Sequence, residues 1–402
     1  MSAIVGPARR WRVCQQKEIP VSSMFPDDYV SARQRFLAAA RAAGARIETF
    51  PLEAYRTPSD DELAIDVAWL GDARAERVLL VTSGMHGFEG PAGSAVQSSW
   101  LDGAGWRVTS GLAVCLVHAL NPWGFAWISR LTENNVDLNR NFIDWNAPVP
   151  ANAFYAHVRD LIRVPDVSPE TLVRIGLQHR ELAARLGPAA MQVAVDFGQY
   201  DDPEGIAFGG SGREFGHRVL HDQIVPMLVH ARQLGVIDLH TGVGAFGELA
   251  ILPIDGAGSA NASVIEGWWG RDTVRNWKRS ELEAVIEQDP KLRDMPLLKT
   301  GQMKQALQRW LPNARINGAV VEFGTERPGA LPSLILVTLY ERWLRFVDRS
   351  PRMAPQHALF RHTAKECFCP DDEGWRRFVA DQGPQLIDRA IQGMNTPFPH
   401  GL

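Results

Sequence analysis

Four ionisable side chains, His86, Glu89, His240 and Glu322, stand where apolar runs break into glycine. In "VLLVTSGMHGFEG" an imidazole and a carboxylate three residues apart end the run that begins at Val78. "LGVIDLHTGVG" repeats the arrangement around His240, with small residues directly after it. Divalent zinc favours nitrogen and oxygen donors at about 2.0–2.2 Å, and a catalytic zinc keeps three protein ligands and one open position. His86, Glu89 and His240 can supply those three. "INGAVVEFGTERPG" adds Glu322 between Val321 and Phe323, a place hard to explain as surface and suited to a base that takes a proton from water. A lone ionisable group in an apolar run costs free energy unless it is paired or ligated. Taken singly, each reads equally well as a structural ion pair or hydrogen bond, but the set together is a stronger sign of function.

The order H-x-x-E, then "DLNRNF", then a strand-end His, then a Glu in "VVEFGT" resembles the zinc carboxypeptidase superfamily, which includes the aspartoacylase and succinylglutamate desuccinylase deacylases. The resemblance spans residues 78 to 330 and is closest to a bacterial group of carboxypeptidase-like proteins within that superfamily. It implies a zinc ion on His86, Glu89 and His240, Glu322 as general base, and Asn139 with Arg140 as binders of a substrate carboxylate. It further implies that Asp137 accepts the second ring N–H of His86, and that Arg130 polarises the scissile carbonyl, although its spacing to the motif is slightly longer here.

The residues also bear plainer readings. A guanidinium suits bidentate carboxylate recognition, yet "NRN" also fits an asparagine-rich turn with a surface salt bridge, and Arg130 could pair with Glu133. Asp238 lies two residues before His240 on the same strand face and competes with Asp137 as a histidine orienter. One departure from the carboxypeptidase pattern concerns a tyrosine: none lies between His240 and Glu322.

The elements that must position these groups alternate. An alanine-rich helix over 31–43 meets Gly44, and "RIETFPL" and "LAIDVAWLG" alternate at period two as an edge hairpin. The His86 strand leads into a helix over 90–101, and "LAVCLVHALNPWG" is the next buried strand, with His118 as a core histidine rather than a fourth ligand. Residues 150–197 read as helical. A glycine-rich loop, "FGQYDDPEGIAFGGSGREFGH", follows and is expected to border the substrate cleft. It lacks the Lys-Ser/Thr ending of a nucleotide loop. His217 and His221 have i, i+4 spacing but no carboxylate partner of known geometry. "GELAILPID" is a further strand, and 261–311 reads as mostly helical, with Trp268, Trp269 and Trp277 fit for a pocket wall or for core packing. "LPSLILVTLYERWLRFV" is an apolar-faced helix. Alternating strands and helices with ligands at strand ends predict an α/β fold of three layers, α/β/α, with a mixed central sheet. The expected division is an N-terminal arm over 1–27, a catalytic domain over 28–350, and a C-terminal extension over 351–402 packed on it.

The 402 residues, 45% hydrophobic and 22% charged, are those of a globular chain. A net charge of -4 gives no electrostatic reason for a nucleic acid or an anionic membrane as partner. Cys14, Cys115, Cys367 and Cys369 are too few and too unevenly spaced for a disulfide framework. With neither a secretory leader nor a membrane-length apolar run, a cytoplasmic enzyme is expected: a zinc-dependent amide hydrolase acting next to a free carboxylate of a small peptide. An N-acyl amino acid deacylase, or a binding protein on the same fold, is the alternative. Oligomeric state is not legible.

Overall fold

The computed structural model describes residues 21–103, 111–255, 259–274, 299–328 and 331–395. Most of the arm expected over 1–27, together with Cys14 and Trp277, lies outside these residues.

Seven strands form one sheet: β1 (Arg46–Arg56), β2 (Glu62–Leu70), β3 (Arg77–Thr82), β4 (Leu112–His118), β5 (Gln233–Ala245), β6 (Leu249–Pro253) and β7 (Arg315–Glu326), in the order β1-β2-β4-β3-β5-β7-β6. The four central strands are parallel, β2 and β6 run antiparallel to them on either side, and β1 pairs antiparallel with β2 at the edge. This is the expected mixed sheet, with the first hairpin at its edge.

The three-layer form follows from the side-chain alternation of period two. Leu79 and Val81 of β3, with Ile237 and Leu239 of β5, enter one core, whereas Val78, Leu80, Leu234 and Val236 enter the other. A strand covered on both faces must be apolar at every position, which is why these segments read as unbroken runs rather than as alternation. The first core is closed by the helices Tyr29–Ala42, Gly90–Asp102 and Glu373–Asn395 through Phe36, Trp100, Trp375 and Leu386. The second is closed by the segment from Phe215 to Leu228 and by the helix Met303–Trp310 through Leu220 and Leu307.

The helix Glu373–Asn395 therefore covers the sheet itself, with Trp375 Nε1 donating to Gly324 O at 2.9 Å. Trp268 and Trp269 also belong to that core, and Trp269 donates to Leu386 O. Of the two readings for these indoles, core packing holds. Among the described residues no helix is long and apolar enough to cross a membrane.

Candidate active site

The parallel strands bring their carboxyl ends to one edge, the usual place for a ligand in an open α/β sheet. β3 ends at Thr82, and the chain turns through His86 into a short 3-10 turn, Gly87–Glu89, that continues as the helix Gly90–Asp102. Gly87 permits this turn to lie against its neighbour, since a Cβ there would sit 1.9 Å from the Gly124 carbonyl carbon. In the adjacent strands His240 stands in register with Glu322. Two residues more than 150 positions from His86 in sequence thus reach its side through strand pairing.

His86, Glu89 and His240 are buried, and their ligand atoms all lie within 4.8 Å of one another. Both rings are oriented in the same sense. His86 directs Nε2 to Asp137 Oδ1 at 3.2 Å and Nδ1 to Glu89 Oε1 at 2.8 Å. His240 directs Nε2 to Asp238 Oδ2 at 2.9 Å and Nδ1 to Glu89 Oε2 at 2.9 Å. A carboxylate accepting an Nε2–H fixes the tautomer that leaves the Nδ1 lone pair free. The two Nδ1 atoms converge on one carboxylate, so two imidazole nitrogens and a carboxylate are gathered in a donor set that suits a divalent cation such as zinc. Asp137 and Asp238, read from sequence as competitors, each serve a different ring.

Electrostatics bind the cluster together. Burial pushes the Glu89 carboxyl upward, but the adjacent His86 and His240 imidazoles hold it well below its ordinary value. Burial likewise opposes charge on Asp137, and Arg140, Arg130 and His86 outweigh it to hold that carboxyl low. Glu322 behaves differently: burial, reinforced by Glu89, lifts it from 4.5 to about 8 against the pull of His240. Among the described residues its one hydrogen bond is accepted from the Val243 N–H at 3.4 Å.

Arg130 pairs with Asp137 at 3.0 Å and reaches Glu89 at 3.6 Å, so the surface pairing with Glu133 does not form. Asn139 donates its backbone N–H to Asp137 Oδ1, and its side-chain Oδ1 accepts from the Met303 N–H. Its Nδ2 is left without a partner among the described residues. Arg140 is buried rather than on the surface: Nε and Nη2 donate to Asp196 O and Oδ1 at 2.8 and 2.7 Å, and Nη1 donates to Asn139 O. Three of its five N–H groups are committed, and two remain.

These groups line a cavity of about 390 Å³ whose wall includes His86, Glu89, Arg130, Asn139, Arg140, His240 and Glu322. The structure thus gathers seven of the nine candidate residues in one cavity wall and sets Asp137 and Asp238 directly behind it. Asp196, Lys299, Gln192 and Lys304 also line the cavity and were not singled out from sequence. Each lies on or beside a helix with no local mark of its role.

Other expectations are redirected. The glycine-rich loop braces the Asn139–Arg140 turn from behind, with Asn141 Nδ2 donating to Gly209 O and Gly212 O, and its glycines do not line the cavity. His217 bonds Asn141 O and His221 bonds Asp222, so neither ring joins a metal cluster. His118 is a core residue, 2.9 Å from Ser94 Oγ and stacked on Phe36.

The fold and the cluster define a mixed-sheet α/β protein with a candidate metal centre at the carboxyl ends of its parallel strands. Residues 25–382 match a family described as "Protein of unknown function (DUF2817)", and the chain belongs to that family. No curated protein matches it. Solved structures similar to it include a candidate metallopeptidase from Shewanella amazonensis, at 12% identity and TM-score 0.40, covering 80% of this chain and 93% of that one. Another is carboxypeptidase A from Helicoverpa armigera, at 11% identity and TM-score 0.39, covering 92% and 77%. A third is a candidate succinylglutamate desuccinylase/aspartoacylase from Shewanella frigidimarina, at 14% identity and TM-score 0.35, covering 75% and 71%.

Proposed function

We propose that this protein is a zinc-dependent hydrolase that cleaves an amide bond next to a free carboxylate. The observation that carries the reading is the convergence of the His86 and His240 Nδ1 atoms on Glu89, each ring held from behind by its own aspartate. When bound there, zinc supplies Lewis acidity that acidifies water and polarises a carbonyl.

The remaining roles belong to the chain. Asn139 Nδ2 and the two uncommitted N–H groups of Arg140 receive the substrate carboxylate, and the Asp196 carboxylate behind Arg140 keeps the guanidinium in place. Arg130, fixed by Asp137 and Glu89, lies beside the cluster where charge develops on the carbonyl oxygen, and donors preorganised there stabilise the transition state. Glu322, in register with His240 on the adjacent strand, takes a proton from water and passes it to the leaving amine.

The same residues serve a peptide and an N-acyl amino acid equally, because both present a carboxylate one carbon from the scissile nitrogen. The sequence has no tyrosine between His240 and Glu322, which favours the N-acyl substrate. Three free thiols among the described residues, Cys115, Cys367 and Cys369, support a reducing, cytoplasmic setting.

Metal analysis of the purified full chain tests the core of this reading. One zinc per chain is expected, lost in His240→Ala, together with chelator-sensitive hydrolysis of peptides or N-acyl amino acids. A folded wild-type chain that takes up no zinc would overturn it.

A further inference from the structure

A buried ion pair outside the cavity wall holds the segment that carries Arg130. Glu341, near the end of the helix Ser333–Arg342, pairs at 2.9 Å with Arg345, in the π-helical turn Trp343–Asp348 that continues it, and both side chains are almost fully buried. Their other bonds go to residues 129–133. Glu341 Oε1 bonds the Ser129 hydroxyl, and Glu341 Oε2 accepts the Arg130 N–H at 3.3 Å. Arg345 Nη2 donates to Ser129 Oγ at 2.9 Å and to Thr132 O at 3.1 Å, and Nη1 donates to Glu133 O at 3.4 Å.

Ser129 and Arg130 are bonded on their other side to the turn that carries His86 and Glu89. Arg130 O accepts the Gly87 N–H at 3.3 Å, and Ser129 O accepts the Phe88 N–H at 3.1 Å. Gly87 and Phe88 are the two residues between His86 and Glu89. The backbone at Ser129–Arg130 is thus clamped between the ion pair and that turn. Stability alone is a weak reason for such a pair, because desolvating two charges can exceed their attraction and apolar side chains of similar volume often serve as well. What a carboxylate and a planar guanidinium fork add is direction, since they fix acceptors and donors at set angles. A π-helical turn, the form that holds Arg345, is rare and frequent at functional sites.

We propose that Glu341 and Arg345 are positioning residues: through Ser129 and Arg130 they fix the backbone from which the Arg130 side chain extends and the turn that sets His86 against Glu89. Neither lines the cavity, so both act through other residues. The inference rests on the hydrolase reading for what Arg130 does, and on the hydrogen bonds alone for the hold on the His86–Glu89 turn.

The test replaces the pair as a unit in the full chain, Glu341→Met with Arg345→Met. Removing one partner would leave a buried charge uncompensated, whereas two flexible apolar chains keep the volume filled. Zinc affinity, read by competition against a chromogenic chelator, should fall by about tenfold or more, as it does when support behind a ligand is lost. In the metal-free chain, amide exchange in the peptide spanning 86–89 should speed up by a similar factor. With zinc saturating, kcat should fall with KM little changed, and in an Arg130→Ala background the same double substitution should cost kcat nothing further, because residues that act through one another are not additive. A pair that serves stability alone lowers the unfolding midpoint and moves none of these. Arg345→Lys keeps the charge and loses the fork, and it should shift the same readouts in the same direction should the double variant fail to fold. Unchanged zinc affinity in a folded variant, or a kcat loss that adds in full to that of Arg130→Ala, overturns the inference.

The readouts separate its failure from that of the hydrolase reading. If the wild type binds zinc and cleaves no amide, yet the double substitution weakens zinc and speeds exchange, the hydrolase reading falls and the positioning role at the turn stands. If the double variant binds zinc and turns over like the wild type, the positioning role falls and the hydrolase reading stands. If the wild type takes up no zinc, both fall.

Discussion

Glu322→Gln separates proton transfer from every other function of the cavity. The substitution conserves volume and leaves a side-chain oxygen to accept the Val243 N–H, the single hydrogen bond of the carboxylate among the described residues. It also removes a charge that burial already resists, since the carboxyl is lifted from 4.5 to about 8. The variant is therefore expected to fold at least as stably as the parent. His86, Glu89 and His240 are untouched, so zinc content should stay the same. A positioned general base contributes about 10²–10⁴-fold to rate, which corresponds to about 3–5 kcal/mol of transition-state stabilisation. The loss should fall on kcat, with KM little changed, because Asn139 and Arg140 hold the carboxylate without help from Glu322. The assay pairs elemental analysis of zinc with steady-state hydrolysis of an N-acyl amino acid. Turnover near that of the wild type with zinc bound would refute the role of Glu322, and loss of zinc together with activity would make it a ligand instead.

Asp238→Asn should weaken zinc binding by about 10- to 100-fold, the usual cost of losing a carboxylate behind a ligating histidine. Competition against a chromogenic chelator reads it, and an unchanged affinity would show that the 2.9 Å contact with His240 does not tune the site. His118 sets part of the acid limit of the fold. Burial pushes its pKa down from 6.5 to about 4, so its contribution to stability is intact above pH 6.5 and is lost as the pH falls through 4. At about 1.4 kcal/mol per pH unit, up to about 3 kcal/mol is lost over that window. Urea unfolding of metal-free protein at pH 7 and pH 4 should show a smaller acid loss in His118→Gln than in the wild type, and equal losses would refute it.

What could be read from the sequence was what each short segment carries by itself. The unbroken apolar runs of β3, β5 and β7 announce strands buried on both faces, and a polar group at the end of such a run followed by glycine announces a strand-end site. His86, Glu89, His240 and Glu322 all satisfy that local rule. Asp196, Lys299 and Lys304 satisfy no such rule. Each is an ordinary charged residue on or beside a helix, and its role arises only because Arg140, more than fifty residues before the first of them, is folded against it. The same limit applies to the helix Glu373–Asn395. Its apolar face says that something is covered, but only the packing of Trp375 beneath Gly324 says that the covered surface is the central sheet.

The two aspartates behind the histidines differ in a way that joins the metal centre to the substrate pocket. Asp238 lies two residues before His240 on one strand, so that ring is oriented by its own backbone, and Thr82 of β3 steadies the aspartate at 2.7 Å. Asp137 belongs to the segment that carries Asn139 and Arg140. One of its oxygens faces His86 Nε2 and also accepts the Asn139 N–H, while the other takes Arg130. His86 is therefore oriented by the same carboxylate that shapes the Asn139–Arg140 turn and anchors Arg130. That turn thus contacts both the His86 ring and Arg130 through Asp137, whereas His240 and Glu322 are paired across β5 and β7. The site thus has one half built on adjacent strands and one half set by a loop, and in the proposed reaction the substrate contacts with Asn139 and Arg140 fall on the second.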